Sequence, residues 1–90
     1  MSVRRTKIEI INDMLSSIQT KGGRIKPTHL MYKANLSHKL LNTYLDDLLR
    51  NEMVKEVRQK NYKYLIITDK GHDFVNEFRR VKKFQESFGI

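Results

Sequence analysis

An α+β fold is predicted, with three helices, a β-hairpin and one long C-terminal helix, and three observations predict it. Apolar residues recur at helical spacing in three stretches before residue 51. From residue 53 to residue 68 the chain turns rich in Val, Ile, Tyr and Thr on either side of a polar Gln59-Lys60-Asn61 turn, the pattern of paired strands. Helical spacing then returns after Thr68. That order makes residues 1–90 a single α+β domain with a small core.

The first helix is expected from residue 4 to about residue 20, with Ile8, Ile11, Met14, Leu15 and Ile18 inward and Ile10 on the flank. Gly22-Gly23 stops it. A basic loop over residues 21–27 leads to a short helix over 28–35, with Pro27 at its entrance, Thr28 as its cap, and Leu30, Met31 and Ala34 inward. Asn35 tolerates the left-handed backbone that a helix end needs. Ser37 caps a third helix over 37–51, whose apolar side is Leu40, Leu41, Tyr44, Leu45, Leu48 and Leu49.

Two helices joined by so tight a turn form a helix-turn-helix, which offers its second helix to the major groove. The hairpin over 53–68 follows directly, and a hairpin in that place is the wing of a winged helix-turn-helix fold. Asn61 is the residue expected to take the unusual backbone of its turn. Thr68 caps the last helix, over 69–88, about 30 Å long at 1.5 Å per residue. Phe74, Phe78, Val81 and Phe88, with Gln85 between, form a short heptad-like stripe that outreaches so small a domain. These five residues are the expected dimerisation surface.

The chain carries 18 Lys and Arg against 10 Asp and Glu, a formal charge of +8, which favours a polyanionic partner. No acidic residue lies between Asp13 and Asp46 or between Val57 and Thr68. The cations of those stretches are expected on one outward side. Lys26, Lys33, Arg58, Lys60 and Lys63 suit phosphate contacts; Ser37, His38, Lys39, Asn42 and Thr43 suit base edges. Asp46 and Asp47 confine the approach to the first two turns of the third helix.

Other classes find little support. There is no cysteine, hence no disulfide framework or thiolate metal site. No apolar run approaches a membrane span, and Met1 to Arg5 leads into an amphipathic pattern, so a cytoplasmic protein is expected, nucleoid-associated if DNA is its partner. His29, His38 and His72 lie on separate elements without metal-ligand spacing, and His29 and His72 read as surface residues. Asp46 and Asp47 project about 100° apart on one helix and do not converge. Gly22-Gly23 lacks the rest of a phosphate loop. No enzyme, metal or cofactor is expected. The four Tyr and four Phe suit a core, with Tyr62 and Tyr64 as further candidates to touch DNA.

Three segments carry a resemblance: Lys7-Ile8-Glu9-Ile10-Ile11, Met31-Tyr32-Lys33-Ala34-Asn35-Leu36-Ser37 and Ile67-Thr68-Asp69-Lys70-Gly71, with a weaker trace from Phe84 to Gly89. Over residues 4–89 the chain resembles the archaeal winged helix-turn-helix DNA-binding proteins that include the small basic Sulfolobus-type chromatin proteins. The resemblance implies double-stranded DNA as partner, homodimers through the C-terminal helix, and a role in chromatin or transcription regulation. Chromatin-type members have a longer last helix paired as an antiparallel coiled coil; the shorter helix here shifts the expectation towards a local transcription regulator. The rival reading is a winged-helix protein-interaction module of a transcription or replication assembly.

Overall fold

The elements run α1 (Lys7–Thr20), β1 (Arg24–Ile25), α2 (Pro27–Lys33), α3 (His38–Arg50), β2 (Val54–Gln59), β3 (Tyr62–Ile67) and α4 (Asp69–Ser87). They belong to a computed structural model that describes residues 4–90; Met1 to Val3, part of the N-terminal lead read above, lie outside the described residues.

Helix α1 starts three residues later than its periodicity suggests, because Thr6 and Glu9 form a capping box. The Thr6 hydroxyl accepts from the Glu9 N–H at 3.3 Å, and the Glu9 carboxylate accepts from the Thr6 N–H at 2.8 Å. The Thr6 backbone N–H, and after it the Thr6 side chain, hold the Glu9 carboxyl below its ordinary range. A carboxyl depressed on folding stabilises the fold above its unfolded pKa, and that contribution is lost as pH falls through the folded pKa. Glu9→Gln keeps the box and removes the charge. Its thermal midpoint is therefore expected to fall less than that of the parent chain when both are melted across the acid range; parallel curves count against the linkage.

The buried stripe of α1 is Ile10, Ile11, Met14, Leu15 and Ile18. Ile10 is 7% exposed and Ile8 is 52% exposed, the reverse of the expected assignment. Ile8 overhangs the core and faces α4 instead. Helix α2 begins at Pro27 with Lys26 at the N-cap and no side-chain cap, so Thr28 sits inside its first turn and is not the cap. The basic loop before it contains β1, which pairs antiparallel with β3 through Arg24↔Ile66 and Ile25↔Leu65.

The helix-turn-helix closes on Asn35, which adopts φ +54° as expected. The Leu36 N–H donates to the Met31 carbonyl at 2.9 Å and the Asn35 N–H to the Tyr32 carbonyl at 3.1 Å, satisfying the end of α2. The end of α3 uses the same device with a less suitable residue: Glu52 takes φ +59°, and the Met53 N–H reaches the Leu48 carbonyl at 2.9 Å. A side chain in that region costs about 1 kcal/mol, so Glu52→Gly is expected to stabilise the fold by up to that amount in denaturant titration. A lower midpoint for Glu52→Gly would contradict the assignment.

The sheet order is β1-β3-β2. Its inner face sends Ile25, Val54, Leu65 and Ile67 into the core beside α1, Leu30, Leu41, Leu45, Leu48 and Val75. Beyond them the β2–β3 ribbon projects as the wing, with Gln59 opposite Tyr62. Its left-handed turn residue is Lys60 (φ +57°), not Asn61.

Helix α4 is fastened at its start. The Thr68 hydroxyl accepts from the Gly71 N–H at 3.1 Å and donates to the Glu52 carbonyl at 2.7 Å. Gly71 and Val75 are buried, whereas every residue from Val81 to Ile90 is exposed. Among the described residues no helix is long and apolar enough to cross a membrane.

Candidate nucleic-acid interface

Helix α3 buries Leu41, Leu45 and Leu48 and turns its other side outward. Ser37, the N-cap, accepts from the Leu40 N–H at 3.2 Å. Ser37, His38, Lys39, Asn42 and Thr43 are all exposed on the cap and first two turns. The Asn42 amide nitrogen and His38 Nδ1 lie 3.2 Å apart, and the Thr43 hydroxyl donates to the Lys39 carbonyl at 3.0 Å. No ion pair holds Lys39 among the described residues. Leu40, expected on the apolar side, is 40% exposed and joins this surface instead. Asp47 is turned back to the body, where Lys7 at 3.1 Å and Arg50 neutralise it. Asp46 remains exposed. The acidic end of α3 is thus less repulsive to a polyanion than its sequence suggests.

The turn that aims α3 is held by Arg5, a residue the sequence reading did not single out. Its Nη1 donates to Asp13 Oδ2 at 2.9 Å and to the Ala34 carbonyl at 2.8 Å, and its Nη2 donates to the Asn35 carbonyl at 2.9 Å. One planar fork ties the N-terminal arm, α1 and the helix-turn-helix corner together.

The expected phosphate contacts divide between the two faces of the wing rather than sharing one side. Successive strand residues alternate faces, and Arg58 pairs with Lys63 in register, so these two lie on the face of Leu65 and Ile67. Lys63 is partly engaged there, its Nζ 3.5 Å from Glu56 Oε2. Lys26 lies on the opposite face, its Nζ 4.1 Å from the Tyr62 ring centroid. Lys60 occupies the tip and Lys33 the exposed last turn of α2. Tyr62 is outside the core at 54% exposure, and Arg24 lies over Tyr64 at 3.8 Å. The composition of the loop signalled Arg24 only as one more cation. His72, read as a surface residue, is half-buried with its Nδ1 2.8 Å from Gln19 Nε2, joining α4 to α1; His29 is exposed.

Away from α3, an apolar groove of about 470 Å³ runs between α1 and α4, lined by Ile8, Phe74, Phe78, Val81 and Gln85 among others. Phe74 and Phe78 are half-buried with ring centroids 6.5 Å apart. Past them Val81, Gln85 and Phe88 are exposed, and Phe84 and Phe88 pack ring to ring at 4.9 Å.

A family model described as winged helix-turn-helix matches residues 4–86. An uncharacterized protein of Methanocaldococcus jannaschii is 40% identical over 55 residues, which are 61% of this chain and 25% of that protein. The chain therefore spans a quarter of that relative's length. Among solved structures, Sso10a-2, a DNA-binding protein from Sulfolobus solfataricus, superposes with a TM-score of 0.81 at 23% identity, covering 93% of this chain and 85% of that one. F93 from STIV, a winged-helix DNA-binding protein, gives 0.75 at 20% identity, covering 89% and 92%. The oxidized form of MarR from E. coli gives 0.72 at 22% identity, covering 84% and 57%. At these identities the superpositions establish a shared fold.

Proposed function

The chain belongs to the winged helix-turn-helix family, and we propose that it binds double-stranded DNA in the cytoplasm as a transcription regulator or nucleoid-associated protein. The observation that carries this reading is the exposed first half of α3. There Ser37, His38, Lys39, Asn42 and Thr43 stand clear of the core, with no acidic partner for Lys39 among the described residues. Lys39 can donate to guanine O6 and N7, Asn42 can pair with adenine, and Thr43 can meet a thymine methyl. Arg58 and Lys63 on one face of the wing, Lys26 against the other, Lys60 at the tip and Lys33 on α2 act on phosphates in this reading. The description of Sso10a-2 and F93 as DNA-binding proteins supports the same reading.

The working unit in this proposal is a homodimer. The exposed stripe of Val81, Gln85 and Phe88, continuous with Phe74, Phe78 and the Ile8 groove, supports a second copy as its cover. An apolar surface of this kind is otherwise left in water.

Duplex titration over a salt series, with solution mass measured on the same samples, tests both statements. Each phosphate contact contributes about 0.9 to the slope of log affinity against log salt, so Arg58→Ala with Lys60→Ala is expected to lower that slope by about 2 for every sequence. Lys39→Ala with Asn42→Ala is expected to lower discrimination between sequences. Val81→Asp with Phe88→Asp is expected to halve the solution mass. A chain that fails to bind duplex even at low salt would favour the protein-interaction module.

A further inference from the structure

The outer face of the sheet carries an arrangement that α3 and the wing tip leave unexplained. Tyr62 and Tyr64, alternate residues of β3, project from it. Arg24 crosses from β1, sets its guanidinium carbon 3.8 Å from the Tyr64 centroid and donates to Gln59 Oε1 on β2 at 2.5 Å. Lys26 holds its Nζ 4.1 Å from the Tyr62 centroid and 5.9 Å from that of Tyr64. Lys21 and His29 line the same hollow as Arg24, Lys26 and Tyr64, and no acidic side chain lines it.

Two ligand chemistries suit cations interleaved with aromatics. Unstacked bases need bare ring faces to stack on. Phosphates need cations held in place. Here a cation already lies over each ring, so the surface offers ordered positive charge in place of open π-faces. The rings and Gln59 restrict Arg24 and Lys26 before any ligand arrives, which lowers the ordering cost of binding.

We propose that this face, at the β1 edge, is a built, sequence-independent contact for a nucleic-acid phosphodiester backbone, which joins Arg24 to the phosphate contact already given to Lys26. Arg24 and Lys26 touch the phosphates; Tyr62, Tyr64 and Gln59 are positioning residues. The inference rests on the DNA-binding reading and extends it by a contact that reports no base identity.

The test uses the whole chain in two double variants, Arg24→Gln with Lys26→Gln and Tyr62→Leu with Tyr64→Leu, each first shown by thermal melting to fold. Affinity for a duplex of arbitrary sequence is measured over a salt series, alongside single-stranded oligothymidine. The Arg24/Lys26 variant is expected to lose about 2 from the salt slope and to keep its discrimination between sequences. The tyrosine variant is expected to weaken duplex binding several-fold with the slope retained, because the charges remain but are no longer ordered. Should Tyr64→Leu fail to fold, the Arg24/Lys26 variant, altered only at exposed residues, decides alone. Wild-type binding with an unchanged slope in that variant overturns this proposal and leaves the DNA reading standing. Preferential loss of oligothymidine binding in the tyrosine variant overturns it in favour of base stacking. A wild-type chain without duplex affinity at low salt overturns the DNA reading and this proposal with it.

Discussion

Gly71→Ala is expected to destabilise the fold by about 3 kcal/mol, the top of the range for overpacking a core. A Cβ at residue 71 would lie 2.4 Å from the Met53 carbonyl oxygen and 2.7 Å from Ile67 Cγ1. The carbonyl cannot retreat cheaply, because it accepts from the Thr68 N–H at 3.1 Å. Moving α4 outward instead would break the Thr68 cap and its bond to Glu52. For a domain this size, about 3 kcal/mol corresponds to a fall of roughly 12–24 °C in the midpoint. Gly22→Ala is the control: Gly22 has φ +79° but open space around it, so its cost is the conformational one alone, about 1 kcal/mol. Equal losses in the two variants would show that the close approach at Gly71 is not what requires glycine.

That contact also explains what a single sequence can and cannot disclose. The Thr-x-Lys-Gly exit from the wing was legible as a cap followed by a glycine, but the reason for the glycine is a carbonyl eighteen residues upstream. Local signals carried through where the physics is local: Ser37 caps α3, Asn35 takes the left-handed turn, Thr68 caps α4. The Thr6-x-x-Glu9 box was equally local and was available in the sequence, yet periodicity alone placed the start of α1 too early. Two-residue β1 has no period to detect; only its partners at Leu65 and Ile66 make it a strand. Ile8 and Ile10 both fit a helical stripe, and the choice between them depends on where α4 crosses α1. For the candidate site, the exposed half of α3 was legible from its wheel. The division of cations between two faces of the wing was not, because it follows from strand register and from which side β1 adds to the sheet. Arg24 and Tyr64 meet across two strands, a proximity that neither residue type announces.

Arg5 shows the same gap in its strongest form, since three bonds to distant groups leave no periodic trace. Arg5→Ala is expected to cost about 2 kcal/mol, below the full worth of charge-assisted bonds to a buried group, because the Arg5 side chain is 31% exposed and partly screened. A second consequence falls on recognition. Without the fork, the Ala34 and Asn35 carbonyls lose their shared donor, and the corner that sets the angle of α3 must be ordered by the ligand instead. A cost of about 1.4 kcal/mol transferred to binding corresponds to about a tenfold loss of duplex affinity. Arg5→Lys separates geometry from charge: one ammonium cannot reproduce the planar fork, so Lys is expected to keep the positive charge without recovering the affinity. The measurements are a denaturant titration and a duplex titration on the same three proteins. If Arg5→Lys binds as the parent does, the role of Arg5 is its charge alone, and the corner of the helix-turn-helix does not depend on its hydrogen bonds.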